Sequence, residues 1–307
     1  AIQYLDRTVE DDVSILELLN LMGYHSSFID GWVIPFCAAV WSSPLDAGEM
    51  EAYTILQFLR NHGFLRWSTL QWYTPRGRTQ VMVERMEEWF FQNGVEIKTN
   101  SKVTRVERGN HGVSVVINDD ETIFYDHVVI AASAGVASQI ISNQTEDEIQ
   151  VLSGFKCNPN EVVVHTDPLL MPPDRKNWTS WNIMRDNDRY VVTYWIKKLQ
   201  HIEEENLFIT LNPSDMWLRE NQKHIIFQKT MNHPLLDKRA ISSQKRIDEI
   251  QGCGNIWYAG AYLRYGFHED GFASGIAVSR KILGNESIPI YPIRYGEVNP
   301  VRKILSG

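Results

Sequence analysis

The sequence predicts a mixed α/β fold, and three observations predict it. Apolar residues recur at near-helical spacing through residues 13 to 70, short alternating runs crowd residues 94 to 132, and a strand, a glycine-rich loop and a helix follow one another over residues 255 to 284. With 307 residues, 43% hydrophobic and 22% charged, the chain can bury a sizeable core as one large domain or two interleaved ones, which excludes intrinsic disorder.

Residues 1 to 70 read as a helical part. Val13, Leu16, Leu19 and Leu21 mark one amphipathic pattern, and Tyr53, Leu56, Leu59 and Arg60 mark a second beyond Pro44. Gly23, Pro35 and Gly63 punctuate them, and aromatics from Trp32 to Tyr73 are dense enough for an apolar wall, although core packing explains most of them. Residues 71 to 142 change period: Gly94 to Lys98, Val103 to Arg108 and Val113 to Ile117 each alternate as short strands, and Asp126 to Ala132 reads as a buried strand ending in small residues. Helix, β-meander, then a strand running into a small-residue turn is a common way to complete a nucleotide-binding α/β sheet. Residues 143 to 250 alternate at Val162 to His165, Tyr190 to Trp195 and Leu207 to Thr210, which predicts an antiparallel lobe, and residues 285 to 307, with Pro289, Pro292 and Pro300, predict an extended tail. No repeat or low-complexity tract is present.

The segment 251 to 284 carries the most chemistry. Ile256 to Ala259 reads as a strand, the loop holds Gly260 and Gly266, and a helix is expected from near Gly271 to Gly284. Its small face, Ala273, Ser274, Gly275 and Ala277, suits close packing on a sheet or a planar ligand, and its start offers N–H groups and a partial positive charge to an anionic group. The plainer reading is that the glycines only shape a turn and that His268, Glu269 and Asp270 form a solvated cap.

Charge and cysteine content narrow the class. A net charge of −8 and a pI near 5.6 argue against nucleic acid or anionic lipid as partners. Cys37, Cys157 and Cys253 form no C-x-x-C pair, so neither a zinc site nor a disulfide framework is suggested; a reducing intracellular compartment is the default, and a mitochondrial protein trimmed of a transit peptide is compatible with it. The N-x-S/T triplets at Asn143, Asn177 and Asn285 have no other sign of secretion beside them. The most apolar run, Val128 to Ile141, is interrupted by Ser133, Gly135, Ser138 and Gln139 and is short of the roughly 20 residues of a membrane span; no signal peptide is read at Ala1 to Asp12.

With these residues in view, the sequence resembles the NAD/FAD-binding flavoproteins similar to amine oxidases, of the type associated with cyclopropane-fatty-acid synthases. The resemblance is carried by Tyr265 to Gly271, Pro35 to Pro44, Asn61 to Gly63, Gln71 and Trp72 leading to Pro75 and Gly77, His165 to Pro168 with Met171 and Pro172, Trp178 with Ser180 to Asn182, Val192 to Trp195 with Leu199 and Gln200, and Leu211 to Pro213. It implies an FAD-dependent oxidoreductase with an incomplete FAD/NAD(P)-binding Rossmann-like domain and a substrate lobe of helices and antiparallel sheet, covering a pocket for an apolar, lipid-like substrate. By position it assigns Gly260, Ala261, Gly266, His268, Glu269, Asp270 and Gly271 to the isoalloxazine or ribityl chain, Val103 to the adenine and Ala131 to the closing turn, and Ser274, on the small helix face, joins the cofactor-binding set. Trp41, Trp72, Asn182 and Trp195 fall on the substrate side. His268 and Glu269 are the catalytic candidates, because both side chains can transfer protons.

Two departures qualify the resemblance. Such proteins open with a strand, a G-x-G-x-x-G turn and a helix that grip the pyrophosphate, and no G-x-G-x-x-G is present; Gly252 and Gly254 precede a strand where the fingerprint follows one. The paired glycines after the proline appear as Pro75, Arg76, Gly77 and Arg78, adding two positive charges. Two readings follow: an oxidoreductase whose pyrophosphate-binding unit comes from a second polypeptide, or a catalytically inactive subunit with a structural role in a larger complex.

Overall fold

The computed structural model describes residues 13–42, 47–65, 78–110, 112–186, 189–203 and 206–285. Trp72 and Pro75 to Gly77, on which parts of the sequence reading fall, lie outside them, as do residues 1–12 and 286–307.

The helical part is fixed at its start by side chains. Ser14 caps α1 (Ile15–Leu21): its hydroxyl accepts from the Glu17 N–H at 3.2 Å while the Glu17 carboxylate accepts from the Ser14 N–H at 2.7 Å. A short helix α2 (Ser26–Phe28), a π-helical turn (Ile29–Val33) and α3 (Ile34–Trp41) run on without a break. Glu51 then caps α4 (Ala52–Asn61), accepting from the N–H groups of Tyr53 and Thr54. Their inner faces, with Ile15, Val33, Trp41, Ile55 and Phe58, form one core cluster. Helix α5 (Arg78–Gln92) is amphipathic yet has no buried residue.

Three sheets follow among the described residues. β1 (Val103–Gly109), β2 (Gly112–Ile117) and β3 (Glu121–Tyr125) form an antiparallel meander. β4 (Val128–Ile130) lies parallel to β10 (Ile256–Tyr258), with Val129 opposite Trp257. α6 (Ala134–Ile140) and α7 (Glu146–Ser153) leave β4 before the third sheet, whose antiparallel order is β6 (Trp181–Asp186), β7 (Arg189–Trp195), β8 (Phe208–Leu211), β5 (Cys157–His165) and β9 (Ile225–Pro234). Short helices α8 (Ile196–Gln200) and α9 (Asp215–Glu220) edge that sheet, and α10 (Lys238–Ile250) and α11 (His268–Leu283) flank β10.

The mixed α/β expectation holds, with three local differences. The alternating Gly94 to Lys98 has no strand partner among the described residues, and Val95 and Ile97 stay exposed, because alternation becomes a strand only where a neighbour supplies the ladder. The last helix starts at His268 rather than Gly271: the Asp270 carboxylate turns back to accept from the Phe267 N–H at 3.0 Å and draws the first turn into register. Within 143 to 250, α7 and α10 bury Val151, Leu152, Ile247 and Ile250 with Ile130, Ile256 and Tyr258, so they pack with the parallel pair rather than with the five-stranded sheet.

Beneath that parallel pair lies a buried ionic centre. Glu148, fully buried, takes hydrogen bonds from the Arg108 guanidinium, the Tyr258 hydroxyl and, at 2.8 Å, the Thr145 N–H; Arg108 also donates to the Cys253 carbonyl at 3.1 Å. Four segments are thereby held together, β1, the start of α7, and β10 with the turn before it. Such a pair is strongly coupled to the fold because Glu148 alone would be an unmatched charge in a dry interior.

Candidate active site

At the carboxyl ends of β4 and β10 an open cleft of about 550 Å³ is walled by Val129, Ala131, Ala259, Gly260 and Ala261 and by one face of α11, including Gly271, Phe272, Gly275 and Ile276. Ligands of open α/β sheets bind at this end of parallel strands. The α11 wall is nearly flat at its glycines. A Cβ at Gly271 would rest 3.6 Å from the Ala261 nitrogen, in ordinary contact, and one at Gly275 would meet nothing within 4 Å. Small residues on one helix face leave room for a flat group to approach the backbone closely.

The loop between strand and helix is held from three directions. The Ser274 hydroxyl accepts from the Gly260 N–H at 2.8 Å and donates to the Gly271 carbonyl at 2.7 Å, tying the strand end to α11. The Gln244 amide donates to the Tyr262 and Arg264 carbonyls at 2.8 and 2.7 Å. The indole of Trp41 donates to the Tyr265 carbonyl at 3.1 Å, so the helical part grips the same loop. Phe267, the residue before α11, stacks on Phe58 with ring centroids 5.0 Å apart and meets Trp41 edge-on at 6.2 Å.

At the start of α11, His268 and Glu269 are exposed, and their N–H groups have no partner among the described residues. The Asp270 and Gly271 N–H groups return to the Phe267 carbonyl. Asp270 is buried, with Arg264 Nε 3.6 Å from its carboxylate; burial raises its pKa, against the lowering by the Phe267 N–H and Arg264. Glu269 and Asp270 therefore offset part of the positive charge expected at this helix end.

Ala131, Gly260, Ala261 and Gly271 are thus brought together on the cleft wall, and Gly266, with φ +94°, turns the chain beside them. Ser274 stands behind that wall with its hydroxyl engaged inside the chain, and Val103 packs on the cluster beneath β4. Of the substrate-side residues, the three that lie among the described residues are not brought together. Trp41 is buried in the helical core; Asn182 spends its amide on the Thr179 and Thr193 carbonyls; Trp195 meets Trp178 edge-on at 5.2 Å, among Met171 and Phe208. Sequence reasoning missed Val129, Ala259, Phe272 and Ile276 on the wall and Phe267 and Gln244 behind it. The four-residue spacing of Gly271 and Gly275 is a readable sign of the helix face that lines the cleft.

The fold that carries this cleft has counterparts. Residues 16–168 match the family model of flavin containing amine oxidoreductases. The amine-oxidase-like fold is seen in the CLA-producing fatty acid isomerase from P. acnes, with 19% identity and a TM-score of 0.60 over 87% of this chain and 66% of that one. Putrescine oxidase bound to putrescine aligns at 12% identity and 0.60 over 92% and 70% of the two chains, and reduced UDP-galactopyranose mutase at 12% and 0.57 over 92% and 71%. The chain spans about two-thirds of the length of these structures. No curated protein matches it. Three such different chemistries on one amine-oxidase-like fold mean that the reaction is decided by the site and not by the architecture.

Proposed function

We propose that the chain is part of an FAD-dependent oxidoreductase acting on an apolar, lipid-like substrate, of the type associated with cyclopropane-fatty-acid synthases, and that another polypeptide supplies the unit that grips the FAD pyrophosphate. The observation that carries this reading is the cleft wall of Ala131, Gly260, Ala261, Gly271 and Gly275, where no side chain exceeds a methyl group and a Cβ at Gly275 would meet nothing within 4 Å, a surface suited to a planar ring system. When bound, FAD would accept or return hydride. The chain's own residues would orient it: the loop from Gly260 to Phe267, fixed by Ser274, Gln244 and Trp41, sets the depth of the cleft. His268 and Glu269, exposed at the helix start, are the groups able to move a proton there.

Support for a completing unit comes from the sheet edges. The outer edge of β10 is closed: the Gln251 amide donates to the Tyr258 carbonyl at 2.7 Å and accepts from the Tyr258 N–H at 2.9 Å, and the Gly252 N–H reaches the Ile256 carbonyl at 2.9 Å. A further strand would therefore add beside Val129 of β4, where the ladder has no partner among the described residues. Next to it an apolar groove of about 590 Å³ runs between α5 and Phe272, lined by Met82, Met86, Trp89 and Phe90. Its exposed rings suit a covering unit. The three free cysteines agree with a reducing compartment.

A second reading, a catalytically silent subunit of a larger complex, is favoured by the internal engagement of Ser274 and Asp270. The absorbance spectrum of the native assembly decides between them. Flavin bands, with a co-purifying polypeptide that carries G-x-G-x-x-G, are expected; a colourless preparation refutes the enzyme reading.

A further inference from the structure

Four aromatic residues of the helical part stand at four-residue intervals, Tyr24, Phe28, Trp32 and Phe36, and their rings form one row. Successive centroids are 5.3, 5.6 and 5.5 Å apart, and the last two pairs are stacked. On a regular α-helix four residues overshoot one turn by about 40°, so such a row would wind away from a single face. The π-helical turn at Ile29–Val33 prevents this, because its wider turn holds more residues and takes back the accumulated rotation. The row continues inward: Phe36 meets Phe58 at 6.3 Å, and Phe58 stacks on Phe267, immediately before α11. Exposure falls along it, from 43% at Tyr24, 40% at Phe28 and 47% at Trp32 to 4% at Phe58. Leu21 and Met22 extend the exposed end.

We infer that this exposed end docks on a lipid surface, the source of the apolar substrate. The inference rests on the proposed reading that the cleft works on such a substrate. Lipid is the occupant that the chemistry selects. Residues 13–42 contain no lysine or arginine, and the nearby Lys238 is paired with Glu17 at 3.7 Å, so the stretch has no cation of its own to draw an anionic partner. Tryptophan, tyrosine and phenylalanine beside leucine and methionine are the residues that settle at the boundary between headgroups and acyl chains. The expected target is a neutral, zwitterionic bilayer.

The test uses the native full-length protein with phosphatidylcholine vesicles and a flotation gradient. The protein should float with the vesicles at low and high salt alike, and the double variant Phe28→Ser with Trp32→Ser should partition about tenfold less, since two half-exposed rings are lost. As a second measurement that leaves the fold untouched, vesicles with brominated acyl chains should quench part of the tryptophan fluorescence, and Trp32→Phe should remove that quenchable part. Flavin absorbance read on the same fractions reports separately on the underlying reading. Flavin-bearing protein that stays with the buffer overturns the lipid surface alone. So does unchanged flotation of the double variant, or a dimer formed without vesicles and lost in that variant, which would assign the face to a second copy of the chain.

Discussion

Gly271 allows fold and ligand binding to be separated at one position. Gly271→Ala adds a Cβ whose nearest neighbours, the Ala261 nitrogen and Cβ, are 3.6 and 3.9 Å away, so no atom must shift. Replacing a helical glycine by alanine should therefore stabilise by about 0.5–1 kcal/mol, which for a chain of this size is a rise of about 2 °C in the unfolding midpoint. Gly271→Leu carries the same backbone benefit but extends a branched side chain from the cleft wall. A flat ligand lying on that wall could not keep its position, and retention should fall at least a hundredfold, or about 2.7 kcal/mol. The assay pairs thermal unfolding of each variant with the flavin-to-protein absorbance ratio after dialysis. Alanine raising stability while leucine empties the site is the expected pattern. Full flavin occupancy in a folded Gly271→Leu variant would refute the placement of the ring system, and marked destabilisation by alanine would refute the packing described for this helix.

Two further predictions concern the framework. His165 is fully buried with Nε2 2.7 Å from the Thr210 hydroxyl, and burial lowers its pKa from 6.5 to about 4. The unfolded chain therefore binds a proton below pH 6.5 that the folded protein refuses, so its contribution is intact above pH 6.5 and is lost as pH falls toward about 4. Urea unfolding at about pH 5 should show about 2 kcal/mol less stability from this group than at neutral pH, a difference that His165→Gln should abolish; an equal pH slope in the variant would count against it. Glu148→Ala leaves the partly buried Arg108 guanidinium without its counter-charge and the Tyr258 hydroxyl without its acceptor. A loss of about 3–5 kcal/mol is expected in denaturant unfolding, and a change below about 1 kcal/mol would show the ionic centre to be incidental.

From the sequence alone, periodicity determined the helical start, the meander and the strand–loop–helix at the end, because each depends on residues that are neighbours in the chain. The family resemblance also marked Ala131, Gly260, Ala261 and Gly271, which the fold gathers on one wall. Only the tertiary structure decided what those residues face. Ser274 and Asp270 look alike on paper as polar groups beside a glycine loop, yet their partners, Gly260 and Phe267, engage them within the chain. Trp41, Asn182 and Trp195 were legible as aromatic or polar, but burial against Phe58, Thr193 and Trp178 depends on which elements cross, and that is set by contacts far apart in sequence. The strand expected at Gly94 to Lys98 makes the same point: a local pattern specifies how a segment could pair, and only the presence of a neighbour determines whether it does.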